Sequence, residues 1–229
     1  PTTDEGAITL GGLWEVDIQA REGEPMGVIW GPAFARDDSG SIIYDSGLPT
    51  YNPDYQILGN TTPDWTGGIG INMSWKGFRF YTLFDMKKGG DVYSQTNSWG
   101  KYAGILEETL AGREEGIVGA GADINGGANT TVVDAQDYFK AFYTPDVGES
   151  SVYDATFVKW REVSLTYDIP KRFYKSLGIE NMSFGVNVRN LLILYKKVPH
   201  IDPETSFGNT TGSQGLEYAQ IPPTRSYGV

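Results

Sequence analysis

Few residues in this 229-residue chain have the type and spacing that chemistry requires. His200, the only histidine, stands in the run Val198-Pro199-His200-Ile201-Asp202-Pro203-Glu204, where a lone imidazole fits packing or a solvent contact better than general-base work. Glu107-Glu108 and Glu114-Glu115 offer paired carboxylates, but glycoside hydrolysis needs two such groups held about 5 to 9.5 Å apart across a cleft. Adjacent acids read instead as a solvated face. Asp37-Asp38-Ser39-Gly40-Ser41 is oxygen-rich yet lacks the spaced acids and closing Glu of a calcium loop, so it reads as a turn. With no Cys, the chain has no thiol nucleophile, disulfide or cysteine-based zinc site. The G-x-S-x-G, H-E-x-x-H, Walker and G-x-G-x-x-G patterns are missing as well. No catalytic residue, cofactor or metal is expected.

The elements that such residues would have to sit on are strands. Composition points there first: 30 Gly and 12 Pro punctuate a chain with 6 Trp, 14 Tyr and 10 Phe. Over Thr66 to Trp75, Gly67, Ile69, Ile71, Met73 and Trp75 alternate with Thr66, Gly68, Gly70, Asn72 and Ser74. Lys76-Gly77 supplies a two-residue turn, after which Phe78, Phe80, Phe84 and Met86 oppose Arg79, Tyr81, Asp85 and Lys87. The spacing predicts a hairpin with one apolar face. The same period recurs over 162–168 and 182–189, and more weakly over 14–19 and 28–35, where Pro32 argues against a central strand.

Connections divide into short and very long ones. Lys76-Gly77 is minimal, and 168–181 holds one helical turn begun by Pro170. By contrast 36–65, 89–154 and 196–223 read as long polar loops, with a short helix predicted over Tyr102 to Gly116 from the spacing of Tyr102, Ile105, Leu106 and Leu110. The net charge of −11 concentrates there: residues 89–154 hold 11 acids against Lys101, Arg113 and Lys140. That balance excludes a nucleic-acid partner. Short turns on one rim and long loops on the other suit an outer-membrane barrel, and Trp30, Trp75, Phe78, Trp160, Tyr167 and Tyr195 near strand ends suit its aromatic girdles. A soluble β-sandwich alternates in the same way and stays open on these residues.

An ordered series of segments then carries a family resemblance. GEPMGVIWG (23–31), LGNTTPDWTGGIGINMSWKGFRF (58–80), GGDVY (89–93), LAGRE (110–114), NTTVV (129–133), FVKWREVSLTYDIP (157–170), NLL (190–192), DPE (202–204) and PPTRSY (222–227) resemble the C-terminal barrel region of SusC/RagA-type TonB-dependent outer-membrane receptors. The resemblance implies an all-β fold, about six antiparallel strands of a barrel of about 22. Residues 1–229 would be a C-terminal segment, consistent with the opening Pro1-Thr2-Thr3, with 36–65, 89–154 and 196–223 as external loops. The family's plug and its TonB-contacting segment have no counterpart here.

The same resemblance implies a cell outer-membrane transporter that imports oligosaccharides or peptides with a SusD-like surface lipoprotein and the TonB complex. Arg79, Asp85, Lys87, Glu162, Asp168 and Arg189 would face a polar lumen, while Ile69, Ile71, Phe80, Phe84, Val163, Leu165, Phe184 and Val186 would face lipid. Trp99, Tyr102, Tyr138, Phe142 and Tyr143, with Phe139 beside them, are candidate ligand or lid contacts in the 89–154 loop. The alternative is a secreted sandwich that binds carbohydrate through loop aromatics such as Trp65 and Trp99.

Overall fold

A computed structural model describes residues 6–144 and 146–229, so the Pro1-Thr2-Thr3 opening lies outside the described residues. Eight strands of six residues or more organise it: β1 (Ala7–Leu13), β2 (Val16–Arg21), β3 (Val28–Phe34), β4 (Tyr51–Asn60), β5 (Trp65–Trp75), β6 (Phe78–Lys88), β7 (Phe157–Asp168) and β8 (Ser183–Lys196). They form two antiparallel sheets. One runs β1-β2-β3-β4; the other runs β5-β6-β7-β8, with Ser226–Gly228 added outside β8.

The β5–β6 hairpin turns as its sequence requires. Lys76 and Gly77 both take positive φ, 47° and 89°, the backbone of the turn whose twist matches two antiparallel strands. From there the register is unbroken back to Trp65 opposite Lys88. Because residues directly opposite in a ladder share a face, the pairing sorts the side chains without ambiguity. Ile69 opposes Phe84 and Met73 opposes Phe80. Those phenylalanines oppose Trp160 and Leu165, and Leu165 opposes Val186. All eight residues expected to face lipid fall on this side. Thr82, its polar member, donates to the Glu162 carbonyl at 3.0 Å and accepts from Trp160 Nε1 at 2.6 Å.

This apolar face has no cover. Ile69, Ile71, Met73, Leu165, Phe184 and Val186 are 42% to 57% exposed, and among the described residues no second sheet packs on them. A sandwich would bury that row, so the alternative fold fails on its defining feature. Trp65 and Trp75 close the face at its two ends. Ten residues at about 3.3 Å, tilted about 40°, separate them by about 25 Å of membrane normal, the height of a barrel's lipid-facing band. Trp65 therefore begins a strand instead of decorating a loop. Trp75, Phe78 and Tyr167 gather at the same end of the sheet, whereas Trp30 lies in the other sheet beneath the Arg21 guanidinium, 3.8 Å from its ring centre.

The long connections are more structured than their composition suggests. Within 36–65, Tyr51–Asn60 is a ten-residue strand paired with β3, although Asn52, Pro53, Asp54 and Gly59 are poor strand formers; pairing overrides their propensity. Pro32 sits at a register shift in β3, and its carbonyl accepts from Gly148 N at 3.0 Å. β4 and β5 are separated by four residues yet pair with different neighbours, so the chain changes sheet at 61–64 without turning back. Val16, Ile18 and Ile29 pack with Tyr93 and Leu216, which come from 89–154 and 196–223, so those segments fold onto the first sheet as one core.

The helix predicted over Tyr102 to Gly116 is displaced. α1 spans Gln95–Tyr102, capped by Ser94, which accepts from Asn97 N. Gly104 takes φ 70° just after its end, so the apolar spacing beyond it has no helix to ride on; only a 3₁₀ turn over Glu107–Leu110 follows. A second helix, α2 (Ala135–Phe142), begins at its Asp134 cap. At the opposite end, Pro170 precedes two 3₁₀ turns, Lys171–Phe173 and Lys175–Leu177, in place of the single turn expected.

Candidate functional site

The polar side of the β5–β8 sheet carries Arg79, Asp85, Lys87, Glu162, Asp168 and Arg189 on one face. Arg79 pairs with Asp168 at 2.6 Å, and Arg189 lies 3.6 Å from Glu162. Asp85 is claimed by Arg161 at 2.7 Å, from the bulge where β7 shifts register against both neighbours. Arg161 also bonds Glu204, as does Lys159, which reaches Asp202 at 2.5 Å as well. Lys159 is only 4% exposed, so its charge is buried together with its partners. Burial acts to raise the Glu204 carboxyl, but hydrogen bonds from Arg161 and Lys159 outweigh it and hold the group below its ordinary value.

Sequence spacing missed Lys159, Arg161, Asp202 and Glu204 as a unit. Their signal lay in two separate segments, FVKWREVSLTYDIP and DPE, which fold against each other. A second tether does the same work nearby: Lys197 bonds Asp154 at 2.5 Å, and burial, which raises the Asp154 carboxyl, is outweighed by the bonds from Lys197 and Thr156.

The loop aromatics divide into two groups. Trp99 and Tyr102 meet edge to face at 5.5 Å between ring centres, and with Phe139 they line a cleft of ≈ 650 Å³ between α1 and α2. Arg113 and Lys140 line it too, and neither was singled out by sequence spacing. The remaining candidates are turned to packing. Phe142 lies 4.7 Å from the Phe34 ring, and Tyr138 stacks on Phe142 at 5.5 Å. Tyr143 is tied to Lys101, whose ammonium lies 3.3 Å from the hydroxyls of both Tyr143 and Tyr153 and 3.4 Å from Glu108. Burial pushes both of those tyrosines up. His200 Nε2 lies 3.0 Å from Glu108, so the histidine joins 196–223 to 89–154 as a surface contact.

An arrangement of this kind can bind and position. It holds no nucleophile beside a base, and among the described residues no group of three His, Asp or Glu is placed to hold a metal.

Known proteins give this geometry a context. No protein-family model matches the chain. It is 25% identical over 179 residues to TonB-dependent receptor P3 of Formosa agariphila, a match covering 76% of the chain and 16% of that protein. Its fold matches the RagAB peptide importer in the closed-closed state with TM-score 0.61 at 18% identity, covering 97% of this chain and 24% of that one. The open-open state gives TM-score 0.59 at 18% identity over 99% of this chain and 24% of that one. The chain thus spans a quarter or less of the proteins it matches.

Proposed function

We propose, from the premise that this chain is the C-terminal barrel portion of a SusC/RagA-type TonB-dependent outer-membrane receptor, that it forms one stretch of the wall of a transporter importing oligosaccharides or peptides. The receptor relative and the importer folds are the background to the reading. The observation that carries it is the uncovered apolar face of β5–β8, bounded by tryptophans at the spacing of a lipid-facing band. The opposite face then belongs to the lumen, where Arg79 pairs with Asp168, Arg189 with Glu162 and Asp85 with Arg161, and Lys87 stands on the same face. Neither face is laid out for catalysis.

The two short turns, at Lys76-Gly77 and 169–182, mark the periplasmic rim; the assembly built from 36–50, 89–156 and 197–225 is external. There it captures substrate and meets a SusD-like lipoprotein, while coupling to TonB belongs to parts of the receptor outside this chain. The test is uptake by the full-length receptor carrying Trp99→Ala and Phe139→Ala. Reduced uptake with unchanged surface display is expected; lost display with unchanged uptake per displayed molecule would refute a capture role.

A further inference from the structure

The cleft between α1 and α2 has a charge unlike that of the segment that builds it. Residues 89–154 contain 11 acids and three cations, yet two of those cations, Arg113 and Lys140, line the cleft, with Asp134 as its one acid. That carboxylate is occupied: Asp134 Oδ1 accepts from Gln136 N at 2.7 Å as the cap of α2. Neither cation has a carboxylate partner among the described residues.

Arg113 is also held in place. Its Nε donates to Thr109 O at 2.9 Å and its Nη2 to Gly104 O at 2.6 Å, which fixes the guanidinium and leaves Nη1 without a partner among the described residues. A fixed, unneutralised guanidinium is prepared for an anion. Trp99, Tyr102 and Phe139 supply ring surface alongside, and ≈ 650 Å³ lies within the roughly 300–1,000 Å³ range of small-molecule sites. The walls are helix flanks and turns, and no strand edge lines them, so an extended peptide finds no backbone ladder to join. A sugar ring needs none, because its C–H face lies on an aromatic ring while its substituents reach the charges.

We infer that this cleft binds an acidic saccharide, a ring bearing a carboxylate, with Arg113 and Lys140 taking the charge and Trp99, Tyr102 and Phe139 the ring. The inference rests on the capture role proposed for these loops and names the ligand class. Its test uses the purified full-length receptor in detergent, titrated with tetragalacturonate, its fully methyl-esterified form and tetraglutamate.

Saturable binding of tetragalacturonate is expected, weakened about tenfold or more by Arg113→Gln with Lys140→Gln, and by esterification to a similar degree. Lys171→Gln with Arg172→Gln removes the same charge at the opposite rim and leaves affinity unchanged. Equal binding of acid and ester, indifference to the Arg113 and Lys140 changes, or tighter binding of tetraglutamate would each overturn the inference. So would absence of tetragalacturonate binding. A receptor that fails these titrations while its uptake still falls with Trp99→Ala and Phe139→Ala keeps the capture role and loses only the ligand class.

Discussion

Replacing Ile71 by Arg and, separately, its neighbour Asn72 by Arg places the same charge at the same depth on opposite faces of β5. Ile71 stands six residues from Trp65 and four from Trp75. At about 3.3 Å per residue and about 40° of tilt, that is about 15 Å below one belt and about 10 Å above the other, close to the midplane. Arg on a lipid face at that depth costs about 2–4 kcal/mol, falling to about 0–1 kcal/mol near the interfaces. Ile71→Arg therefore loses about 2–4 kcal/mol, Phe80→Arg less because it lies only two residues from the Phe78 end, and Asn72→Arg about zero. The assay is urea unfolding of the full-length receptor in lipid vesicles, followed by its heat-dependent gel mobility. Equal losses for Ile71→Arg and Asn72→Arg would refute the assignment of faces, and a larger loss for Phe80→Arg would refute the depth.

Other expectations follow from particular contacts. Glu204→Gln weakens the hold of Lys159 and Arg161 on 202–206, although Asp202 and Asp85 still neutralise them, so hydrogen exchange of the 204–206 amides should speed up; unchanged protection would contradict it. The Glu204 and Asp154 carboxyls are both held below their ordinary values, so their contribution is complete above roughly pH 4.5 and is lost as pH falls through the lowered values. Protection of 197–206 should thus drop as pH falls below about 4.5 in the same exchange experiment; protection that rises on acidification would reverse the sign. Gly212→Ala puts a Cβ 1.9 Å from Leu10 O, so it should destabilise the packing of 196–223 on β1 by about 1–3 kcal/mol, read as a lower urea midpoint.

Much of the membrane sheet was legible because its code is local. A strict period of two over 66–87 and a two-residue turn specify pairing and faces together, and every residue assigned to a side from that alternation shares its side in the ladder. The resemblance to SusC/RagA-type receptors likewise agrees with a receptor relative and importer folds. The external assembly was opaque for a physical reason. β4 is built from Asn, Pro, Asp and Gly and takes its shape from β3, while β1 is weakened by Gly11 and Gly12. The Lys159 to Glu204 cluster joins residues more than forty positions apart, a distance at which spacing conveys nothing. In the loop aromatics, residue type alone did not separate Trp99 and Tyr102, which line a cleft, from Phe142 and Tyr143, which fill the packing around it.

The central claim is that β5 to β8 are a barrel wall with lipid on one side and a watery lumen on the other. This chain contains no Cys, so in a full-length receptor with any cysteine elsewhere replaced by Ser, single substitutions along β5, from Gly67→Cys to Ser74→Cys, report each position separately in intact outer membranes. Labelling by a membrane-impermeant, water-soluble maleimide should alternate: Gly68, Gly70 and Asn72 react, and Ile69, Ile71 and Met73 stay protected. Uniform reactivity, or reactivity confined to Ile69, Ile71 and Met73, would contradict it.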